Sequence, residues 1–148
     1  MFGCCLCVDK LKLKSSAHEW VNLGKGGDTV SSLNKRLRRI PDLSSYDVVI
    51  LFVGVNDVFG KLTFLYKVIK TLMRQRWAKG MVEFERDYTK ILDSLVIKNA
   101  QIIVIPPLLI GENITNKWNL ELAQYVLAIE SINAVSSPPF TISTATNA

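Results

Sequence analysis

Two short loops carry the residues best suited to chemistry. The first is Val21-Asn22-Leu23-Gly24-Lys25-Gly26-Gly27-Asp28-Thr29, and the second is Val53-Gly54-Val55-Asn56-Asp57. Each follows an apolar run and ends in groups that donate hydrogen bonds. At a glycine, a backbone N–H can approach a substrate with no Cβ between them. An asparagine adds a side-chain amide donor from a second loop. Paired donors suit an oxygen that gains negative charge, such as an ester carbonyl during acyl transfer. Each donor of this kind contributes roughly 10²–10³ in rate. Gly27 and Asn56 meet the requirement if their strands are neighbours. Gly26, Asp28, Gly54 and Asp57 support them, the two aspartates by fixing the loops through side chain-to-backbone bonds. The plainer alternative is a turn glycine ahead of a helix and an asparagine that tolerates a left-handed backbone.

The elements that must position these loops follow from hydrophobic periodicity. Glu19 to Leu23 reads as a short strand entering the first loop. Asp28 or Thr29 caps a helix over Val30 to Ile40, where Val30, Leu33, Leu37 and Ile40 recur at helical spacing. Its other face carries Lys35, Arg36, Arg38 and Arg39, and Pro41 ends it. Asp47 to Val53 is a continuous β-branched run, which suits a strand buried on both faces of a parallel sheet. Gly54 to Gly60 reads as a loop. Leu62 to Lys79 is a basic amphipathic helix candidate, stopped by Gly80. Met81 to Lys98 is a second helix, with Phe84, Tyr88, Ile91, Leu92 and Leu95 on its apolar side. Gln101 to Ile105 is a third strand, ended by Pro106-Pro107, and Trp118 to Ala134 is the last helix. This alternation predicts a parallel sheet with right-handed crossovers. In such folds, ligands bind outside the carboxyl ends of the strands, where both loops lie.

The loops resemble blocks of the SGNH hydrolases, also called GDSL esterases/lipases. Gly26-Gly27-Asp28-Thr29 is similar to the family's second block and Gly54-Val55-Asn56-Asp57 to its third. The resemblance spans roughly Trp20 to Asn133. It implies an α/β, flavodoxin-like three-layer sandwich with a parallel sheet. It also implies ester hydrolysis on acyl or acetyl esters, with Gly27 and Asn56 in the oxyanion hole. A serine nucleophile and an Asp-x-x-His pair complete the family's site. Neither Gly-Asp-Ser nor Asp-x-x-His occurs in this sequence. The chain therefore reads as the middle of such a domain, with the oxyanion loops kept and the nucleophile and base missing. The expected outcome is a truncated hydrolase with little or no activity. The alternative is a non-catalytic module that binds an ester, an acyl chain or a partner.

Candidate replacements are few. Phe2-Gly3-Cys4-Cys5-Leu6 echoes the Phe-Gly-Asp-Ser-Leu form of the first block, with Cys5 at the serine position. A thiolate is a competent nucleophile. The single histidine, His18, lies at the amino end of the expected strand, away from the site. The three cysteines, Cys4, Cys5 and Cys7, lack a fourth ligand at zinc-finger spacing, so no metal is expected. No organic cofactor is implied, because the first loop fits neither the dinucleotide fingerprint nor a Walker loop.

Composition bounds the rest. At 148 residues, the chain is most simply one domain. That domain runs over 19–134, after an atypical segment 1–18 and before a Ser/Thr/Pro-rich tail 135–148 expected to be disordered. A net charge of +5 does not by itself call for nucleic acid. The aromatics of the 62–79 helix lie on its apolar side, so they form no stacking platform for bases. That helix instead suggests membrane-surface contact. No apolar run of about 18 residues occurs and no signal peptide is evident, so the default expectation is cytoplasmic. Loss of the serine-block strand and helix would bare a sheet edge, which predicts self-association.

Overall fold

The computed structural model describes residues 4–15, 17–40, 43–62, 68, 71–72, 77–96, 101–111, 113–135 and 141–142. A parallel sheet organises them. Strand β1 (Val48–Phe52) pairs with β2 (Gln101–Ile105) in register from Val48↔Gln101 to Phe52↔Ile105. Strand β3 (Thr141–Ile142) pairs with the other side of β2 through Ile103↔Thr141 and Val104↔Ile142, giving the order β1-β2-β3. Helix α1 (Cys4–Lys14) and helix α2 (Val30–Leu37) precede the sheet. Helix α3 (Val55–Leu62) and helix α4 (Met81–Val96) lie between β1 and β2, and helix α5 (Lys117–Val135) lies between β2 and β3. The fold is α/β with a parallel sheet, as the β-branched runs predict.

The core forms on one face of the sheet. Alternation along the strands turns Leu51, Ile102 and Val104 inward. They meet Phe84, Tyr88, Ile91, Leu92 and Leu95 of α4 and Leu122, Tyr125 and Ile129 of α5, all essentially solvent-free. The α4 positions form the single apolar stripe that its sequence spacing requires. Helix α2 is capped by Thr29, whose side chain accepts from Ser32 N at 3.2 Å. It docks on α4 partly through Ser31 Oγ, which donates to Asp87 Oδ2 at 2.6 Å. Arg86 supports the other oxygen of Asp87 at 3.2 Å. A buried carboxylate needs such partners, since leaving it unpaired is costly.

Four expectations are corrected. Residues 19–23 form no strand, and Val21 and Leu23 are exposed. A strand exists only through pairing, and among the described residues β1 pairs with β2 alone. Nor is β1 buried on both faces: Val48, Ile50 and Phe52 are 45%, 41% and 48% exposed, because the buried core gathers on the Leu51 side alone. The segment Gly54 to Gly60 is helical from Val55 rather than a loop, because Gly54 O accepts from Asp57 N at 3.0 Å and Val58 N at 3.4 Å. The tail is not wholly irregular, since Thr141–Ile142 joins the sheet.

Boundaries also shift at α2, which stops at Leu37, and in the 62–79 segment, which is no longer helical at Trp77. Most of that segment, including most of its basic face, lies outside the described residues. Among those described, Leu72 is 85% exposed. No helix among the described residues is long and apolar enough to cross a membrane.

This packing predicts a contrast within α4. Phe84→Ala, at a fully buried site, should cost about 3–5 kcal/mol of unfolding free energy. Val82→Ala, at an exposed site on the same helix, should stay within about 0.5 kcal/mol. Urea denaturation measures both, and equal losses would contradict the assigned core face.

Candidate active site

The first loop is a tight turn braced at several points. Asn22 Oδ1 accepts from Gly24 N at 2.9 Å, and Asp28 N donates to Lys25 O at 3.1 Å. Gly27 sits in the left-handed region at φ +80°, which glycine adopts without a Cβ penalty. Gly26 is different: a Cβ there would meet nothing within 4 Å.

The second loop is set by Gly54. Its φ is +122°, and an added Cβ would lie 3.0 Å from Pro107 Cγ and 3.6 Å from the Phe84 ring. Glycine therefore lets the end of β1 close onto the Pro106-Pro107 exit of β2 and onto α4. Phe84 also receives Tyr125 edge-on, with ring centroids 4.6 Å apart.

Two hydrogen bonds bring the loops together. Asn56 Nδ2 donates to Asp28 O at 2.9 Å, and Val30 N donates to Asp57 Oδ2 at 3.0 Å. The Asn56 amide thus lies against the carbonyl of the residue that follows Gly27. Asp57 is buried and occupies the first turn of α3. There it accepts from the first residue of α2. The amino ends of α2 and α3 consequently meet at the loops. Both ends carry partial positive charge, which favours an anion or a developing negative charge.

No base emerges from the neighbouring phenols. Burial, with the Asp57 and Glu121 charges adding to it, pushes the Tyr125 phenol up to about 12. Burial also raises Tyr88 well above its usual value of 10. Both stay protonated near neutral pH. His18 Nδ1 lies 2.7 Å from Ser15 Oγ in an exposed local turn, with its ring 6.3 Å from that of Trp20. Cys5 falls in helix α1, and its side chain lies outside the described part of the structure. No group of three or more His, Cys, Asp or Glu side chains among the described residues could hold a metal ion.

Arg36 is a site residue that the periodicity missed. Its Nε and Nη2 donate to Asp28 Oδ2 at 2.9 and 2.6 Å, and its Nη1 donates to Leu23 O at 2.7 Å. The sequence presents it as one of four basic residues on a solvated face. The only available signal was an aspartate eight positions earlier, across a glycine turn.

Comparison with known proteins gives a consistent relationship. The profile of the GDSL-like lipase/acylhydrolase family matches residues 7–139. The crystal structure of an acetyl xylan esterase, AlAXEase, superposes with a TM-score of 0.72 at 24% identity, covering 94% of this chain and 66% of that one. Two catalytic mutants of Axe2, an acetylxylan esterase from Geobacillus stearothermophilus, also superpose. The histidine-to-alanine mutant gives a TM-score of 0.64 at 20% identity, covering 82% of this chain and 52% of that one. The aspartate-to-alanine mutant gives 0.66 at 20% identity, covering 87% and 57%. The chain thus spans between about half and two thirds of the length of these structures, with which it shares the fold. No curated protein sequence matches it.

The geometry predicts unequal roles for the glycines. Gly54→Ala should destabilise the chain by about 1–3 kcal/mol, because it imposes a strained φ and a clash with Pro107. Gly26→Ala should change stability by less than about 0.5 kcal/mol. Thermal unfolding of the two variants checks this, and a neutral Gly54→Ala would contradict the close approach to Pro107.

Proposed function

The chain belongs to the GDSL-like lipase/acylhydrolase family, and from that premise we propose that its two loops form the oxyanion-binding part of an ester hydrolase site. Gly27 N–H and Asn56 Nδ2 donate to the carbonyl oxygen of a small ester as that carbon becomes tetrahedral. The amino ends of α2 and α3 add to the same field. The observation that carries the reading is the 2.9 Å bond from Asn56 Nδ2 to Asp28 O. It brings a side-chain amide from one loop to the carbonyl of Asp28, the residue after Gly27, in the other. Asp28, Gly54 and Asp57 hold this arrangement, and Gly26 leaves open space beside it. The substrate class is acyl or acetyl esters, and acetylated sugars are the first to try, given the acetyl xylan esterase neighbours.

The chemistry around this half-site also defines what these 148 residues do alone. In the family, a serine attacks the carbonyl carbon and a histidine moves the proton, but neither motif occurs in this sequence. Cys5 is the one residue that echoes the serine position. Ester hydrolysis by these residues is accordingly slow or absent. The same lack favours a second reading, in which the paired loops bind an ester or acyl group without cleaving it. Self-association through the exposed row Val48, Ile50 and Phe52 accompanies either reading.

Hydrolysis of 4-nitrophenyl acetate, with Asn56→Ala and Cys5→Ala beside the parent chain, tests the proposal. The parent rate should lie close to that of buffer. Any excess should fall by about 10²–10³ in Asn56→Ala, the usual loss for one oxyanion donor. Loss in Cys5→Ala would name the nucleophile. Activity well above buffer that survives Asn56→Ala would contradict the assigned donors.

A further inference from the structure

Both candidate donors depend on the shape of the turn between Leu23 and Asp28. Neither end of that turn belongs to a regular element: residues 19–25 are irregular, and α2 begins only at Val30. One side chain from two turns into α2 reaches back to both ends. Arg36 Nη1 donates to Leu23 O at the entry, at 2.7 Å. Arg36 Nε and Nη2 donate to Asp28 Oδ2 at the exit, at 2.9 and 2.6 Å. The ion pair is partly buried, with the side chains of Arg36 and Asp28 27% and 12% exposed. Asp28 then passes the constraint on, because its backbone carbonyl accepts from Asn56 Nδ2 at 2.9 Å.

We infer that Arg36 is a positioning residue for the oxyanion loops, closing the Leu23–Asp28 turn and, through Asp28, aiming Asn56. The inference rests on the reading of Gly27 and Asn56 as donors. The chemistry demands arginine rather than a generic cation. A guanidinium is a rigid planar fork that can hold two acceptors in different directions at once. An ammonium is a point charge on a flexible stem, so a lysine could neutralise Asp28 without also bridging to Leu23 O in a fixed geometry. Arg36 touches the turn and no reacting atom, so it acts through Gly27 and Asn56.

The test is ¹H–¹⁵N NMR of the full chain with no ester present, comparing Arg36→Lys, Arg36→Ala and Asp28→Asn. Expected in all three is a large shift of the Gly27 backbone amide and the Asn56 side-chain amide pair. Gly27 amide exchange should be at least about tenfold faster. The Tyr88 and Leu92 amides in the core should not move, which separates loss of positioning from general unfolding. Failure of Arg36→Lys to restore the parent signals supports the fork. Parent-like Gly27 and Asn56 signals in Arg36→Ala, or full restoration by lysine, would overturn the inference. Because ligand-free signals are read, a negative result here differs from a failure to hydrolyse or bind esters.

Discussion

The buried carboxylate of Asp57, accepting a hydrogen bond from Val30 N at 3.0 Å, holds the candidate site together. Val30 is the first residue of α2, so its amide is one of the donors that a helix leaves without an internal partner. Val30 is fully buried, out of reach of bulk solvent. Asp57 supplies the partner from the first turn of α3 and so fixes one helix start against another. Asn56 is its neighbour in sequence, and its side chain can meet Asp28 O only once this register is set. Gly54 provides the space by letting β1 end close against Pro107 and Phe84.

The rest of the site follows from that junction. Two helix amino termini meet at the same loops, and the Asp57 carboxylate, which accepts from Val30 N, offsets the cost of bringing like partial charges together. The turn carrying Gly27 is tied by Arg36 at both of its ends, and the Asn56 amide is tied to the turn. Such preorganisation matters for binding a developing negative charge, because donors already aimed need no reorganisation at the moment of reaction. The Tyr125 phenol, close enough to feel the Asp57 charge, remains protonated and leaves the electrostatics of the junction unaltered near neutral pH.

Much of the fold was legible in the sequence, and its gaps have physical causes. The stripe Phe84, Tyr88, Ile91, Leu92, Leu95 defined α4 and its buried face because one continuous contact with the sheet selects a 3.6-residue period. The runs Val48–Phe52 and Gln101–Ile105 marked the parallel pair for the same kind of reason. Glu19 to Leu23 misled because local pattern cannot supply a pairing partner. Val48, Ile50 and Phe52 misled because an apolar run does not state which of its faces is covered. Gly54-Val55-Asn56-Asp57 looked like a loop, since Gly, Asn and Asp favour turns. In the fold, Gly54 O starts a helix, and Asp57 serves the neighbouring helix. The family resemblance set the two loops side by side, whereas the strand expected to deliver the first loop does not form. Arg36 was not foreseen, because a contact across eight residues and a turn leaves no periodic trace.

The most direct test of this account is amide hydrogen exchange at Val30, measured in the parent chain and in Asp57→Ala. The account predicts that Val30 is protected in the parent to a degree comparable with the α4 core. In Asp57→Ala it should exchange on the order of 10²-fold faster, the size expected for a buried donor that loses its partner, while Tyr88 and Leu92 remain protected. Equal protection of Val30 in both proteins, or rapid exchange already in the parent, would contradict the claim that Asp57 joins the two loops.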